Sequence, residues 1–335
     1  MTYLFSRSER PILEPDSNLS WADGAVFNPG AWYDGETVHM LFRAVPSGYS
    51  AIDLYHHTDG ELSIGYDDYI SYIGYASSSD GVHFDVRSDP FLSPDEPFDR
   101  FGAEDPRISR LGETYWITYS ALASPAFDMD ARVRIGLAST TDFQSVVKHG
   151  VVGPDMRDKD AVIFPALIGG RIAMLHRIVP SIQIIFFEDV AQLCRPPEAL
   201  WTSHLAALDE HVVLRPVEAW EERKIGSGPP PIETEDGWLL IYHGVDRRGI
   251  YRAGLALLDL NDPKRVLART RHPVLEPQLP FEEQGDVDNV VFPEGAVVID
   301  GTLHVYYGAA DHVVGHAWAP LSDVLGLLHE ERLHA

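Results

Sequence analysis

FNPGAWYDGETVHMLFRA, from Phe27, AEDPRISRLGETYWITYSA, from Ala103, and DAVIFPALIGGRIAMLHR, from Asp160, are versions of one unit. Two more copies follow: GSGPPPIETEDGWLLIYHG from Gly226 and VVFPEGAVVIDGTLHVYYG from Val290. Each sets a proline (Pro29, Pro106, Pro165, Pro231, Pro293) before a short run that turns at a glycine and returns as an aromatic- or aliphatic-rich strand. Hairpin signals such as YDGET, LGET and TEDGW sit inside the copies, where Asp-Gly or Gly-Glu pairs permit a tight reversal. Short runs rich in Tyr, Trp, Ile and Val between Gly, Asp and Pro turns predict an all-β protein. Five such units predict a five-bladed β-propeller, which closes radially and leaves few exposed strand edges.

The repeat reaches beyond the core unit. A Pro-apolar-Leu-x-Pro linker recurs as RPILEP at Arg10, DPFLSP at Asp89 and HPVLEP at His272, with degenerate forms at Val151 and Arg215. A further strand recurs downstream: IGYASSSD at Ile73, IGLASTTD at Ile135, AGLALLDL at Ala253 and VGHAWAPLSD at Val314. The copies recur at about sixty residues or more, longer than the roughly forty to fifty of common propeller repeats, so functional loops are expected on one face. Because the repeat covers nearly all of the chain, residues 1–335 read as a single domain. Two stretches stand outside it. Residues 46–72, rich in Tyr, Asp and Gly, form an insertion in the first blade, either a surface excursion or a rim loop that shapes a cleft. Residues 320–335 read as an amphipathic C-terminal helix, N-capped by Ser322, with Leu325, Leu328 and Leu333 on the packed side.

Composition narrows the function classes. The net charge of -25 argues against nucleic acid and against anionic membranes as partners. No charged-then-apolar leader opens the chain at Met1 and no apolar run is long enough to cross a bilayer. The one cysteine, Cys194, lies in a loop-like DVAQLCRPPEAL stretch and reads as an inert filler, so the expected setting is cytoplasmic. No metal-ligand spacing is evident, and His56, His57 and His83 read as loop decoration.

Chemistry enters with Asp105 in GAEDPR. Pro106 fixes its own φ and is expected to push Asp105 towards an extended conformation, holding the acid rigidly. Alone, such a residue is commonly an Asx-type turn former. Asp105, however, occupies the repeat position of Asn28, and equivalent positions on neighbouring blades line one mouth. Arg43, Arg177 and His243 each close the run of their copy; Lys159 and Lys224 stand a few residues before the repeat proline. Any one of these reads as a surface or strand residue. Together, on adjacent blades three and four of an acidic chain, Lys159, Arg177, Lys224 and His243 describe a pocket for an anion with several oxygens, such as phosphate, while Arg43 reads as a strand end or a buried hydrogen-bond fork.

The motifs FNPGA, GAEDPR, DKDAVIFP, LHR, KIGSGPPPI, IYHG, YRAGLALLD, NVVFPEG and YYGAAD together resemble glycoside hydrolase family 130, in the same order from about Pro11 to Asp323. That family contains mannoside phosphorylases and some β-mannosidases on a five-bladed propeller. The resemblance implies Asp105 as general acid, protonating the glycosidic oxygen through the 3-hydroxyl of the bound mannose. It implies attack by phosphate on the opposite face, with inversion, to give α-mannose 1-phosphate. It places phosphate on Lys159, Arg177, Lys224, His243 and Tyr251, and the mannoside on Asn28, Arg43, Asp160 and Asp311. The expected partners are a β-mannoside or mannooligosaccharide and inorganic phosphate as co-substrate, with no cofactor. The sequence leaves linkage, leaving-group sugar and homo-oligomer formation open.

Inverting hydrolysis needs a second carboxylate to activate water. Phosphate is already an anionic nucleophile, so a phosphorylase can replace that base with cations. Three other readings stay open. A β-mannosidase would use water, with Glu294 or Asp288 as candidate bases. A furanosidase would use three carboxylates on separate blades, such as Asp105, Asp160 and Glu294. A non-catalytic sugar-binding propeller would show no turnover at all.

Overall fold

The computed structural model describes residues 4–56, 62–125 and 133–332. His57 and Leu333 lie outside the described residues.

Five antiparallel sheets stand around an axis, their inner strands side by side: Ala25–Tyr33, Gly102–Leu111, Lys159–Ile163, Lys224–Ser227 and Val291–Ile299. Each copy of the repeat builds one blade, in chain order. The ring is closed by the N-terminal strand Ser6–Arg7, which pairs with Val313–Pro320 as the outermost strand of blade five. Arg7 then reaches Glu282 at 2.8 Å, and the hydroxyl of Tyr307 donates to the same carboxylate at 2.6 Å.

The unbroken apolar runs of the second strands follow from burial on both faces. Successive strand residues point to opposite sides. In blade one, Val38, Met40, Phe42 and Ala44 join a core with Val297, Tyr306 and Val314 of blade five. Leu41, on the other face, packs with Ile108, Ile117 and Tyr119 of blade two. Blade four repeats the scheme, with Leu239 and Ile241 against blade five and Leu240 and Tyr242 against blade three. In these second strands both faces are packed, so polar alternation disappears.

The proline-flanked linkers also have a place. Leu13, Leu92 and Leu275 are buried and form single bridges to Val314, Ile73 and Ala253, the third strands of blades five, one and four. The repeated Leu is thus the peg that fastens each linker to a blade.

One irregularity recurs along the inner strands. The ladder slips between Phe27 and Gly30, between Glu104 and Arg107, between Lys159 and Val162, and between Pro293 and Gly295. These are β-bulges, which re-aim side chains and end regular pairing. In three of them the first extra residue is left-handed: Asn28 at φ 49°, Asp105 at φ 54° and Asp160 at φ 55°. Asp105 is therefore not extended, as the following proline led us to expect. The bulge needs a left-handed residue, and Asp and Asn tolerate that region better than other non-glycine residues. In blade three the bulge is made by Asp160 and Ala161, and Pro165 falls beyond the inner strand; the proline is not what marks the repeat. In blade four, Pro231 lies in the GPPP break between Lys224–Ser227 and Ile232–Thr234, both of which pair with Gly237–Val245.

Three other elements differ from expectation. Cys194 ends a helix, Val190–Cys194, followed by Glu198–Ala206, so blade three carries helices where a loop was expected. The C-terminal helix spans Leu321–Glu330, with Val324 and Leu328 buried and Leu325 packed on the same core. Its N-cap is Pro320; Ser322 lies inside the first turn and its hydroxyl meets Asp323 at 3.2 Å. The insertion is a two-stranded hairpin, Ser50–His56 with Leu62–Asp67, between the second and third strands of blade one. No helix among the described residues is long and apolar enough to cross a membrane.

The inner strands approach so closely at the bulges that a side chain is excluded there. A Cβ on Gly30 would lie 2.2 Å from the carbonyl oxygen of Pro106, a backbone atom of the next blade. We expect Gly30→Ala to cost about 1–3 kcal/mol, the usual range for overpacking. Denaturant unfolding measures it, and an unchanged midpoint would refute the close contact.

Candidate active site

The bulges place their residues at one level of the ring. Just before each bulge, the inner-strand residue and its partner form a pair: Phe27 with Arg43, Glu104 with Ser120, and Lys159 with Arg177. Gly226 with His243 and Phe292 with Gly308 complete the layer. Arg43, Arg177 and His243 thus share a register, as their place at the end of each run indicated. The bulge residues Asn28, Asp105 and Asp160 lie one step further along.

Two neighbourhoods meet at Asp105. On the blade-one side, the Asn28 side-chain amide donates to Asp105 Oδ1 at 2.8 Å, and Arg43 approaches the same oxygen at 3.3 Å. Arg43 also pairs with Glu104 at 2.6 Å, donates to Ser71 Oγ at 3.2 Å and to Tyr69 OH at 3.1 Å, and covers the rings of Phe27 and Tyr69. Tyr69 and Tyr49 come from the two ends of the insertion and meet edge to face, and the hydroxyl of Tyr49 donates to Asp286. The base of the hairpin therefore forms part of this wall. Asp311 sits at a left-handed turn of blade five, near enough to feel the charges of Arg43, Asp105 and Asp286.

On the other side, Lys159 stands 3.4 Å from Asp105 Oδ2. Arg177 lies 3.0 Å and His243 3.6 Å from Asp160 Oδ2. The amine of Lys224 stands over the ring of Tyr251 at 5.5 Å, and His243, Tyr251 and Phe292 form an aromatic group beside it. Lys159, Arg177, Lys224 and His243 are thus brought together, with Tyr251. A Cβ on Gly226 would fall 2.2 Å from Asp160 Oδ2, so the glycine is there to admit Asp160 and His243. Asp160 lies with the cations as their counter-ion rather than with Asn28 and Arg43, where a place among mannose contacts had been expected.

The electrostatics follow from burial and these neighbours. Burial opposes ionisation of Asp105, but Lys159, Arg43 and Arg107 outweigh it, and the Asn28 hydrogen bond adds to them; the carboxyl is held well below its usual range. Asp160 is likewise held ionised against burial, chiefly by Arg177, with Arg107 and Lys159 adding to it. Burial pushes His243 well below the usual imidazole range, and neighbouring Arg177 and Lys224 push it further, so it stands neutral among cations. Asp311 is pushed up to about 7, chiefly by burial and against Arg43, with the Asp105 charge adding to the rise.

Beneath this layer lies Arg107, whose importance the sequence did not reveal. Its guanidinium meets Glu294 at 2.6 Å and Asp160 at 3.4 Å, and donates to the carbonyls of Asp105, Ser227 and Gly228. Asp105, Asp160 and Glu294, on three blades, do converge, but around this arginine. Burial raises Glu294 well above the carboxylate range despite Arg107. Glu294 is fully buried and held by Arg107 at 2.6 Å, so it is not free to act as a general base, and Asp288, the other candidate, is an exposed turn residue. His83 is exposed and pairs with Asp80.

Comparison with known proteins bears on the family and the fold. Residues 16–330 match the glycoside hydrolase family 130 model, described as β-1,4-mannooligosaccharide phosphorylase. A 1,2-β-oligomannan phosphorylase of Thermoanaerobacter sp. (strain X514) is 38% identical over 95% of this chain and 97% of that protein. A β-1,2-mannobiose phosphorylase of the same organism is 37% identical over 92% and 95% of the two chains. The solved β-1,2-mannobiose phosphorylase from Listeria innocua, in complex with β-1,2-mannobiose, superposes with a TM-score of 0.77 at 30% identity. That superposition covers 99% of this chain and 100% of the other.

The raised Asp311 has a sign that stability can report. Its folded pKa of about 7 exceeds the ordinary 3.8, so the folded state binds the extra proton between these values. Its contribution to stability is therefore lost as pH rises towards and through 7. Asp311→Asn, which cannot ionise, should gain stability relative to the parent at pH 8 more than at pH 4. Urea midpoints at both values measure this, and an equal difference at the two would refute the shift.

Proposed function

The chain belongs to glycoside hydrolase family 130, and we propose that it is an inverting phosphorylase that cleaves β-1,2-mannosidic bonds with inorganic phosphate, releasing α-mannose 1-phosphate. One observation carries the reading: the buried acid Asp105 faces a cluster of Lys159, Arg177, Lys224 and His243, while the buried carboxylates of Asp160 and Glu294 are engaged by Arg177 and Arg107. Phosphate needs cations to bind it, whereas water needs a base. Support for the β-1,2 linkage is the naming of the two relatives at 38% and 37% identity.

In this mechanism Asn28, Arg43 and Asp311 hold the mannose, and the cations with Tyr251 hold phosphate across the anomeric carbon from Asp105. A phosphate oxygen forms the new bond to C1 as the glycosidic C–O bond breaks. The proton passes from Asp105, through the mannose 3-hydroxyl, to the departing oxygen. Asp105 must be protonated for this, and in the free protein it is held ionised. An anion beside Lys159 cancels part of the field that keeps it so, and the sugar excludes water. Both raise its pKa, so phosphate and mannoside together arm the acid. Reversal of the same steps makes the enzyme a synthase when mannose 1-phosphate is abundant.

The deciding assay is product analysis on β-1,2- and β-1,4-mannobiose with and without phosphate. Mannose 1-phosphate from the β-1,2 substrate, only when phosphate is present, is the expected result. Free mannose at equal rates in both conditions would mean a hydrolase, and turnover of the β-1,4 substrate alone would overturn the linkage. Asp105→Asn should lower kcat about 10²–10⁴-fold, the range for a general acid, with the circular dichroism spectrum unchanged. Lys224→Ala should raise KM for phosphate and leave KM for the mannoside near its parent value.

A further inference from the structure

Behind the cation cluster, a line of buried polar side chains crosses blade three to its helices. Asp158 Oδ1 accepts the backbone N–H of Arg177 at 3.1 Å, and Asp158 Oδ2 lies 2.8 Å from His176 Nδ1. His176 Nε2 lies 2.9 Å from His204 Nε2, on helix Glu198–Ala206. The ring of His204 stacks on His211 at 4.2 Å, and Trp201 meets both His176 and His204 edge on. Asp158 and His176 are wholly buried and His204 is 4% exposed.

With His176 neutral, the hydrogen bonds run in one direction. A carboxylate only accepts, so His176 donates from Nδ1. In a neutral His176, Nε2 is then the acceptor, and His204 must donate from Nε2. Burial, with His176 and His211 adjoining, holds His204 down to about 3, so that its ring is neutral. Two donors thus converge on Asp158, the Arg177 backbone N–H and His176 Nδ1, with His204 standing behind the second. Asp158 adjoins Lys159 in the chain and holds the backbone of Arg177, the residue paired with Lys159 across the ladder.

We infer that Asp158, His176 and His204 are positioning residues that hold Lys159 and Arg177 at the separation a phosphate ion requires, so that helix Glu198–Ala206 governs phosphate affinity from outside the site. The inference rests on the phosphate reading of those two cations. Fixing the second layer behind a ligand commonly changes its affinity tenfold or more, and small misplacements of reacting groups are costly.

The test compares KM for inorganic phosphate with KM for the mannoside in His204→Phe, which keeps the packing but cannot donate. The expected result is a phosphate KM raised about tenfold, a mannoside KM within about twofold, and recovery in His204→Gln, whose amide places an N–H near Nε2. Equal change in both constants, or none in either, overturns the inference in favour of a purely structural contact. Histidine ¹⁵N spectra of the unmodified protein give a second reading that needs no variant. Nδ1–H on His176 with Nε2–H on His204 supports the chain, and the opposite tautomer on His204 overturns it. Arg177→Ala separates the two levels: an unchanged phosphate KM there overturns the phosphate site itself, and the relay with it.

Discussion

Arg107 is the interaction on which the centre of the ring depends. It is 1% exposed, and its guanidinium binds a carboxylate of blade three, another of blade five, two carbonyls of blade four and one of its own blade. Removing one partner of a buried charge group leaves the others uncompensated, at about 3–5 kcal/mol by comparison with similar cases. Planar, permanently charged and able to donate along several directions, arginine suits a position where four inner strands must be tied together. A lysine there would hold one or two of these contacts.

Above this tie the bulges do the aiming. A regular strand would turn alternate side chains into the neighbouring blades, where the apolar cores lie. The extra residue breaks that alternation and points Asn28, Asp105 and Asp160 towards the axis. Left-handed backbone in non-glycine residues costs roughly 1–3 kcal/mol and persists only where the surroundings enforce it. Here the ladder on either side of each bulge enforces it. Strain therefore falls at the same three positions that face the candidate site.

The charge pattern explains how an acidic protein can hold an anion. The net charge is -25, but screening confines exposed charges to a range of roughly 8 Å at physiological ionic strength. What an entering anion meets is the local group: two cations, Lys159 and Lys224, a further arginine, Arg177, and a neutral histidine. Asp160 partly offsets that positive field and orients Arg177 and His243. The same field keeps Asp105 ionised until an anion arrives. In the proposed mechanism, coupling between nucleophile binding and acid strength follows from the 3.4 Å between Lys159 and Asp105 rather than from any special property of the carboxyl.

Much of this was legible in the chain. Repetition of the unit determined five blades, because each copy carries the apolar runs and turns of one sheet; the Pro-apolar-Leu-x-Pro linkers marked where blades are pegged. Arg43, Arg177 and His243 could be picked out because the repeat gives them one register, and Asp105 because it shares the place of Asn28; Lys159 and Lys224 stand near the repeat prolines but at different registers, facing Arg177 and Val245. The sequence could not show Arg107 as the central tie, since its five partners are scattered over residues 105–294 and no local pattern joins them. Nor could it show the left-handed turn at Asp105: the following proline restricts local conformation towards extended, and only pairing with a neighbouring strand imposes the bulge. The place of Asp160 among the cations, the part of Tyr49 and Tyr69 in the wall, and the pKa of Asp311 share that reason. A side chain's local sequence sets what chemistry it can offer, but burial and charged neighbours from other blades decide which form it takes.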